Sequence, residues 1–216
     1  MISRAKYSMD NELKDWYPKS VRVGPEGTPG TYEFMQSVFK PDEHFTYVEL
    51  GVYKADTARN VCEIFPNATL FLFDFEETLE EAKEKLSPYS NKVHYFSNSQ
   101  KYNDSYNWQL LSLIKSQGTR TIFDYVFLDG AHTFAIDALS FYLCDRLLNK
   151  GGYLDFDDYG WRLRGSSLDP EHIPEIALQY TEEQIDAYQV KLIVDELVRP
   201  DDRYREVGEN KIFQKQ

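Results

Sequence analysis

From Phe45 onward, short apolar runs alternate with stretches whose apolar residues fall at helical spacing, the pattern of strands alternating with helices. Phe45–Leu50 reads as the first strand and Asp56–Ile64 as the first helix. Thr69–Phe75 is nearly all apolar, so it reads as a strand covered on both faces, followed by the charged helix Leu79–Leu86. Val93–Phe96, Tyr125–Leu128 and Tyr153–Phe156 read as the next three strands. Trp108–Ser116 and a segment carrying Ile136, Leu139, Leu143 and Leu147 are the helices between them, the latter stopped by Lys150-Gly151-Gly152. Gln184–Val198 reads as one amphipathic helix with Ile185, Tyr188, Leu192 and Leu197 as its apolar stripe. Tyr204–Val207 and Lys211–Gln214, split by Gly208-Glu209-Asn210, read as a terminal hairpin.

Five strand–helix units and an antiparallel tail predict an α/β domain over residues 45–216. Its form is doubly wound (Rossmann-like), a mostly parallel seven-stranded sheet with a C-terminal antiparallel hairpin. Residues 1–44 read as an N-terminal appendage, either a lid over the mouth of the core or an oligomer arm. Within it, Thr31 is placed to cap a short helix through Phe39, with Glu33 in its first turn. The loop from Trp161 to Thr181 is long for a compact domain, and such loops are disproportionately functional or disordered.

Composition narrows the partners. The 24 basic and 36 acidic residues leave a net charge of −12, a field that disfavours nucleic acid and anionic membranes. No apolar run approaches membrane-spanning length, and the N-terminus lacks the apolar core of a signal peptide. Cys62 and Cys144 fall on apolar helical faces and read as buried free thiols of a cytoplasmic protein.

The chemistry gathers at strand ends. A right-handed strand–helix–strand unit brings Asp129 and the pair Asp157-Asp158 to the carboxyl edge of one sheet, with His132 just beyond the first. Taken singly, Asp129-Gly130 and Asp157-Asp158 are ordinary turn dipeptides, and a lone histidine is more often structural. Their co-occurrence with Glu49 and Asp74, at two further strand ends, favours a site. Gly51 follows the first strand and opens a helix, which lets a ligand approach closely. Yet the turn is neither GxGxxG nor a P-loop, so a pyrophosphate cradle and a nicotinamide dehydrogenase are disfavoured. Glu49 attracts a cation, and Asp74 can accept from ribose hydroxyls. S-adenosylmethionine (SAM), a nucleoside with a sulfonium and an ammonium, meets those needs.

The ordered set VELGVYKADT, FLFDFEE, FLDGAH and GGYLDFDDYGW, over residues 45–161, resembles the class I SAM-dependent methyltransferases, and among them the macrocin O-methyltransferase group. That resemblance implies a metal-dependent enzyme that methylates hydroxyls of sugars or natural products. It places Glu49, Gly51 and Thr57 around the SAM methionine, Asp74 on the ribose, and Asn98 or Ser99 near the adenine. It makes Asp129, Asp157 and Asp158 ligands of a divalent metal and His132 the base, with Asp129 shared between metal and cofactor sites. Ala55 departs from the motif, standing where a second glycine is usual. Three carboxylates are hard ligands suited to Mg²⁺, Mn²⁺ or Ca²⁺, and Mg²⁺ is the expected ion. A bound metal would lower the pKa of an acceptor hydroxyl, and His132 would accept its proton.

The expected partner is thus a small sugar-like hydroxyl acceptor, with self-association left open. Two other readings stand beside this one: a catechol-type O-methyltransferase, and a non-catalytic SAM- or metabolite-binding subunit. Tyr53, Tyr159 and Trp161 are candidates to wall the acceptor pocket, and Arg162 and Arg164 candidates to hold an anionic acceptor.

Overall fold

In a computed structural model, which describes residues 27–101 and 103–216, five parallel strands carry the fold. They are β1 (Thr46–Leu50), β2 (Thr69–Phe75), β3 (Lys92–Asn98), β4 (Phe123–Leu128) and β5 (Leu148–Phe156). The helices around them are α1 (Pro29–Val38), α2 (Asp56–Ile64), α3 (Glu76–Leu86), α4 (Tyr106–Gln117) and α5 (Phe134–Leu147). After β5 come α6 (Glu182–Asp186), α7 (Gln189–Ile193), a π-helical turn Val194–Val198, and the hairpin β6 (Tyr204–Gly208) and β7 (Ile212–Lys215). The seven strands form one sheet in the order β3-β2-β1-β4-β5-β7-β6, with β7 antiparallel to both β5 and β6. This is the doubly wound sheet with an antiparallel tail that the pattern predicts. Its strand order reverses between β1 and β4, which opens a crevice at their carboxyl ends.

Alternation along the strands sorts the side chains into two layers. Tyr47, Tyr125 and Phe127 enter the core cluster that holds Met35, Val61 and Leu79 from α1, α2 and α3. Val48, Leu50, Val126, Leu128 and Leu154 enter the opposite cluster, with Leu110, Phe141, Cys144 and Ile193 from α4, α5 and α7. The same alternation puts Glu49, Asp129, Asp155 and Asp157 on the α1–α2–α3 side. The register then levels them: Leu50 pairs with Leu128, and Leu128 with Phe156. Gly51, Asp129 and Asp157 therefore leave the sheet in one row.

Of residues 1–44, positions 1–26 lie outside the described residues. The remainder is packed into the domain: Tyr32, Phe34, Met35 and Phe39 of α1 and its C-terminus are buried in the first cluster. Thr31 does not cap this helix. Thr28 stands at the N-cap, and the Thr31 hydroxyl instead donates to the buried Asp155 carboxylate at 2.7 Å.

Two apolar stripes fall only in part where expected. The span 184–198 is not one helix: Ala187 is extended (ψ 141°), so α6 ends there and α7 starts in a new phase. Ile185 is buried and Leu197 packs against the second cluster as expected; Val190, Ile193, Val194 and Val198 are buried too, while Tyr188 and Leu192 are exposed. On α5 Leu147 is buried and Ile136 and Leu143 pack against the second cluster as expected, Asp137, Ala138, Phe141 and Cys144 join that face, and Leu139 is exposed. Cys62 and Cys144 are both buried and free.

Candidate active site

The turn after β1 is built for close approach. Gly51 has φ 87°, and a Cβ there would lie 2.2 Å from the Asp129 carbonyl oxygen. Any side chain would push the β1 and β4 ends apart, so glycine is required. Ala55, at the N-cap of α2, takes the left-handed conformation that its motif position demands, with φ 54°. A non-glycine residue held there costs about 1–2 kcal/mol. Asp74, at the end of β2, braces the turn: its Oδ2 accepts from the Val52 and Tyr53 N–H groups at 2.7 and 2.9 Å. Its Oδ1 accepts from Phe75 N–H at 2.7 Å. Thr57 is buried, its Oγ1 accepting from Thr28 N–H at 3.0 Å, so residues 27–28 close over the start of α2.

Glu49 is 2% exposed and accepts from the Tyr47 hydroxyl at 2.9 Å. Burial pushes its carboxyl up to about 8, so the acid keeps its proton at neutral pH. Asn98, at the end of β3, is buried, and its Oδ1 has no hydrogen-bond partner among the described residues. Ser99 is engaged within its own loop: its N–H and hydroxyl both donate to Asp104 Oδ2 at 2.7 Å. Of the two residues expected near an adenine, only Asn98 presents an open, desolvated acceptor.

Across the crevice, Asp129, His132 and Asp158 offer ligand atoms that all lie within 4.8 Å of one another. His132 Nε2 stands 3.5 Å from Asp158 Oδ2 and 3.9 Å from Asp129 Oδ1. Both His132 (φ 54°) and Asp158 (φ 56°) are left-handed, and that backbone turns their side chains toward Asp129. Asp157 is directed elsewhere: its Oδ1 pairs with Lys211 Nζ at 3.1 Å. The structure thus gathers Asp129, Asp158 and His132 and holds Asp157 on a lysine. Burial first, and then the Asp157, Glu49 and Asp158 charges, push the Asp129 carboxyl far above its usual range. Burial also raises Asp158, with His132 opposing. A cation in this cluster would relieve both effects.

The loop that presents His132 is gripped from below. The Tyr106 hydroxyl donates to Asp137 Oδ1 at 2.5 Å and accepts from Ala131 N–H at 3.1 Å, while Asp137 Oδ2 accepts from Thr133 N–H at 3.1 Å. Gly130 rests on that tyrosine: a Cβ there would lie 2.4 Å from its hydroxyl. Above, the Trp161 ring lies 5.3 Å from the imidazole.

Lys211 was not foreseen. It stands between the hairpin strands, is 8% exposed, and reaches Asp155 Oδ1 at 2.8 Å as well as Asp157. It also donates to the Phe156 carbonyl at 3.2 Å and lies over the Phe127 ring at 4.9 Å. Its sequence signal was faint, a lysine opening an apolar strand after a Gly-Glu-Asn turn.

The segment after Trp161 is ordered by Arg164, which binds Glu182 at 2.6 Å, Asp186 at 3.0 Å and Asp169 at 3.7 Å. Gln189 ties this segment to α5, its Oε1 accepting from Phe134 N–H at 2.8 Å. Arg162 lies over the Tyr188 ring, 5.2 Å from its centroid.

The strand order and the glycine turn at the switch point are those of the Rossmann-like fold that methyltransferases share. Solved structures agree. The chain is similar to the O-methyltransferase TomG from Streptomyces achromogenes, involved in tomaymycin synthesis and solved with SAM. That match has a TM-score of 0.53 at 17% identity and covers 79% of this chain and 73% of that one. A candidate O-methyltransferase of Klebsiella pneumoniae matches with a TM-score of 0.53 at 15% identity, over 79% of this chain and 73% of that one. A candidate caffeoyl-CoA O-methyltransferase of Staphylococcus aureus matches at 0.50 and 13% identity, over 80% and 76%. No protein-family model matches the chain, and no curated protein matches it. No helix among the described residues is long and apolar enough to cross a membrane.

Proposed function

We propose that the protein is a cytoplasmic SAM-dependent O-methyltransferase, assisted by a divalent cation, that acts on a hydroxyl of a sugar or glycosylated small metabolite. The observation that carries this reading is the meeting of two features at the switch point. The Gly51 turn lies against the Asp129 backbone, and the Asp129 side chain belongs to the cluster with His132 and Asp158.

The residues present fit both groups. The missing partner of Asn98 Oδ1 matches an adenine amino group, and the side-chain-free face of Gly51 leaves room for a methionine moiety. Glu49 lies two residues before Gly51 on β1, and a nearby ammonium charge would lower its raised pKa and favour its carboxylate. Asp74 keeps the turn in shape through its backbone bonds, and its remaining acceptor capacity serves ribose hydroxyls. The Asp129 and Asp158 carboxylates are hard ligands suited to Mg²⁺ or Mn²⁺, with His132 beside them left free to act as base. When bound, SAM supplies an electrophilic methyl group, and the cation supplies charge that acidifies an acceptor hydroxyl. His132 Nε2, held between Asp129 and Asp158, takes the hydroxyl proton, and both carboxylates stabilise the imidazolium that forms. Tyr106 and Asp137 fix where that nitrogen stands. Trp161 shields one side of it.

The test is transfer of labelled methyl from SAM to a panel of saccharides and planar diols, with Mg²⁺, with Mn²⁺ and with EDTA. Cation-dependent labelling of saccharides is expected. Labelling of diols alone selects the catechol-type reading, and SAM binding without transfer to any acceptor selects the binding subunit.

A further inference from the structure

We propose that Arg162, seated on the Tyr188 ring, is an anion subsite of the acceptor pocket, and that the acceptor carries a carboxylate or a phosphate besides its reacting hydroxyl. The inference rests on the methyltransferase reading for the word acceptor, but not for the anion. Its starting point is an imbalance of partners. In a chain with 36 acidic and 24 basic residues, several arginines are held by carboxylates. Arg164 has Asp169, Glu182 and Asp186; Arg199 has Asp195 and Glu206; Arg203 has Asp145 and Asp201. Arg162 has no carboxylate within ion-pair distance among the described residues, and its recorded contact is the Tyr188 ring. Arg120 and Arg146 also lack ion pairs among the described residues, but they lie at the C-terminal ends of α4 and α5, away from the carboxyl edge of the sheet.

Position adds the second support. Arg162 follows Trp161, whose ring is 5.3 Å from His132. Tyr188 precedes Gln189, whose side chain accepts from Phe134 N–H, two residues beyond His132. Arg162 and Tyr188 are thus each one residue from a side chain that touches the loop presenting the base. A guanidinium lying on an aromatic ring keeps its N–H edge for a planar carboxylate or a phosphate, with little further ordering on binding. Electrostatics then sets direction. Arg162 on the Tyr188 ring offers an anionic group a binding edge apart from the His132 cluster, which leaves the hydroxyl end of the molecule to face His132.

The experiment uses matched pairs that differ by one anionic group: glucose with glucuronate, glucose with glucose 6-phosphate, and catechol with 3,4-dihydroxybenzoate. Binding is measured calorimetrically to the protein saturated with S-adenosylhomocysteine, for the wild type, Arg162→Gln and Arg162→Lys. The wild type is expected to bind at least one anionic member roughly 10-fold or more above its neutral mate, the scale of a charge-assisted contact. Arg162→Gln should bring the two within about 2-fold, and Arg162→Lys should keep part of the gap. The uronate and phosphate pairs tell which anion is preferred. Lack of any preference in the wild type, no binding by any anionic member, or a preference that survives in Arg162→Gln overturns the proposal. A separate titration with SAM keeps the two readings apart. Absent SAM binding with intact anion preference sinks the methyltransferase reading alone, and SAM binding without anion preference sinks this one.

Discussion

Glu49 shows how a single buried acid ties stability to pH. Its folded pKa stands near 8 against an ordinary value of 4.5, so the unfolded chain loses this proton first as pH rises. Between those values the unfolded state binds fewer protons, and stability falls by up to roughly 1.4 kcal/mol per pH unit. Glu49→Gln removes that dependence. In the absence of SAM, its melting temperature should exceed that of the wild type by a margin that widens from pH 5 to pH 8, while its SAM affinity drops. A constant margin across that range would mean that Glu49 is already ionised in the fold. His132 makes the opposite case, a residue whose loss should spare the fold. His132→Ala should cut turnover by about 100-fold or more, the worth of a positioned base, with SAM affinity unchanged in calorimetry. If SAM affinity falls as far as turnover, the imidazole serves the structure of the β4–α5 loop instead. Alanine also fits the φ of 54° poorly, so His132→Asn, which tolerates that conformation, is the cleaner companion.

At the level of elements, α1 and the α4–α5 pair do more than their sequence announced. Met35 is fully buried from α1 into the cluster shared by β1, β4 and α2. Met35→Ala should therefore cost about 2–5 kcal/mol in denaturant unfolding; a loss near zero would mean that the helix is detachable. Tyr106 on α4 holds the His132 loop through Asp137 and Ala131. Tyr106→Phe leaves the Asp137 carboxylate short of a donor in a buried place, a loss of about 1–3 kcal/mol, and should lower kcat far more than SAM affinity. The strands, their parallel run and the acids at their carboxyl ends were legible because a parallel sheet needs apolar runs, and its connections run one way. The polar residues on the buried face of α5 were not. Asp137, Ser140 and Asp145 face inward because Tyr106, Asn107 and Tyr204 wait there with partners, and a hydrophobic stripe cannot show a satisfied polar face. Thr31 was misplaced for a related reason, since its partner Asp155 lies 124 positions away.

On the scale of the whole molecule, the decisive feature is a knot of negative charge in a protein already at −12. Asp129, Asp157 and Asp158 leave neighbouring strands in one row beside the buried Glu49, and Lys211 from the last hairpin supplies positive charge to them. That lysine could not be read in advance, because the register of β7 against β5 brings together positions 54 apart that no local pattern links. One lysine divided between Asp155 and Asp157 leaves Asp129 and Asp158 facing each other across His132 with no lysine or arginine ion pair among the described residues. A divalent ion that binds only the folded state there must raise its stability, by about 2.7 kcal/mol at 100 times the dissociation constant. Mg²⁺ or Mn²⁺ should thus raise the melting temperature in the absence of SAM or acceptor, EDTA should reverse the rise, and Asp129→Asn should abolish it. Lys211→Met should release Asp157 toward the cluster and strengthen cation binding, even as the unpaired Asp155 lowers the melting temperature without metal. Cation-induced stabilisation that is the same in the wild type and in Asp129→Asn would place the ion elsewhere, and the row of strand-end acids would then owe its arrangement to the cofactor alone.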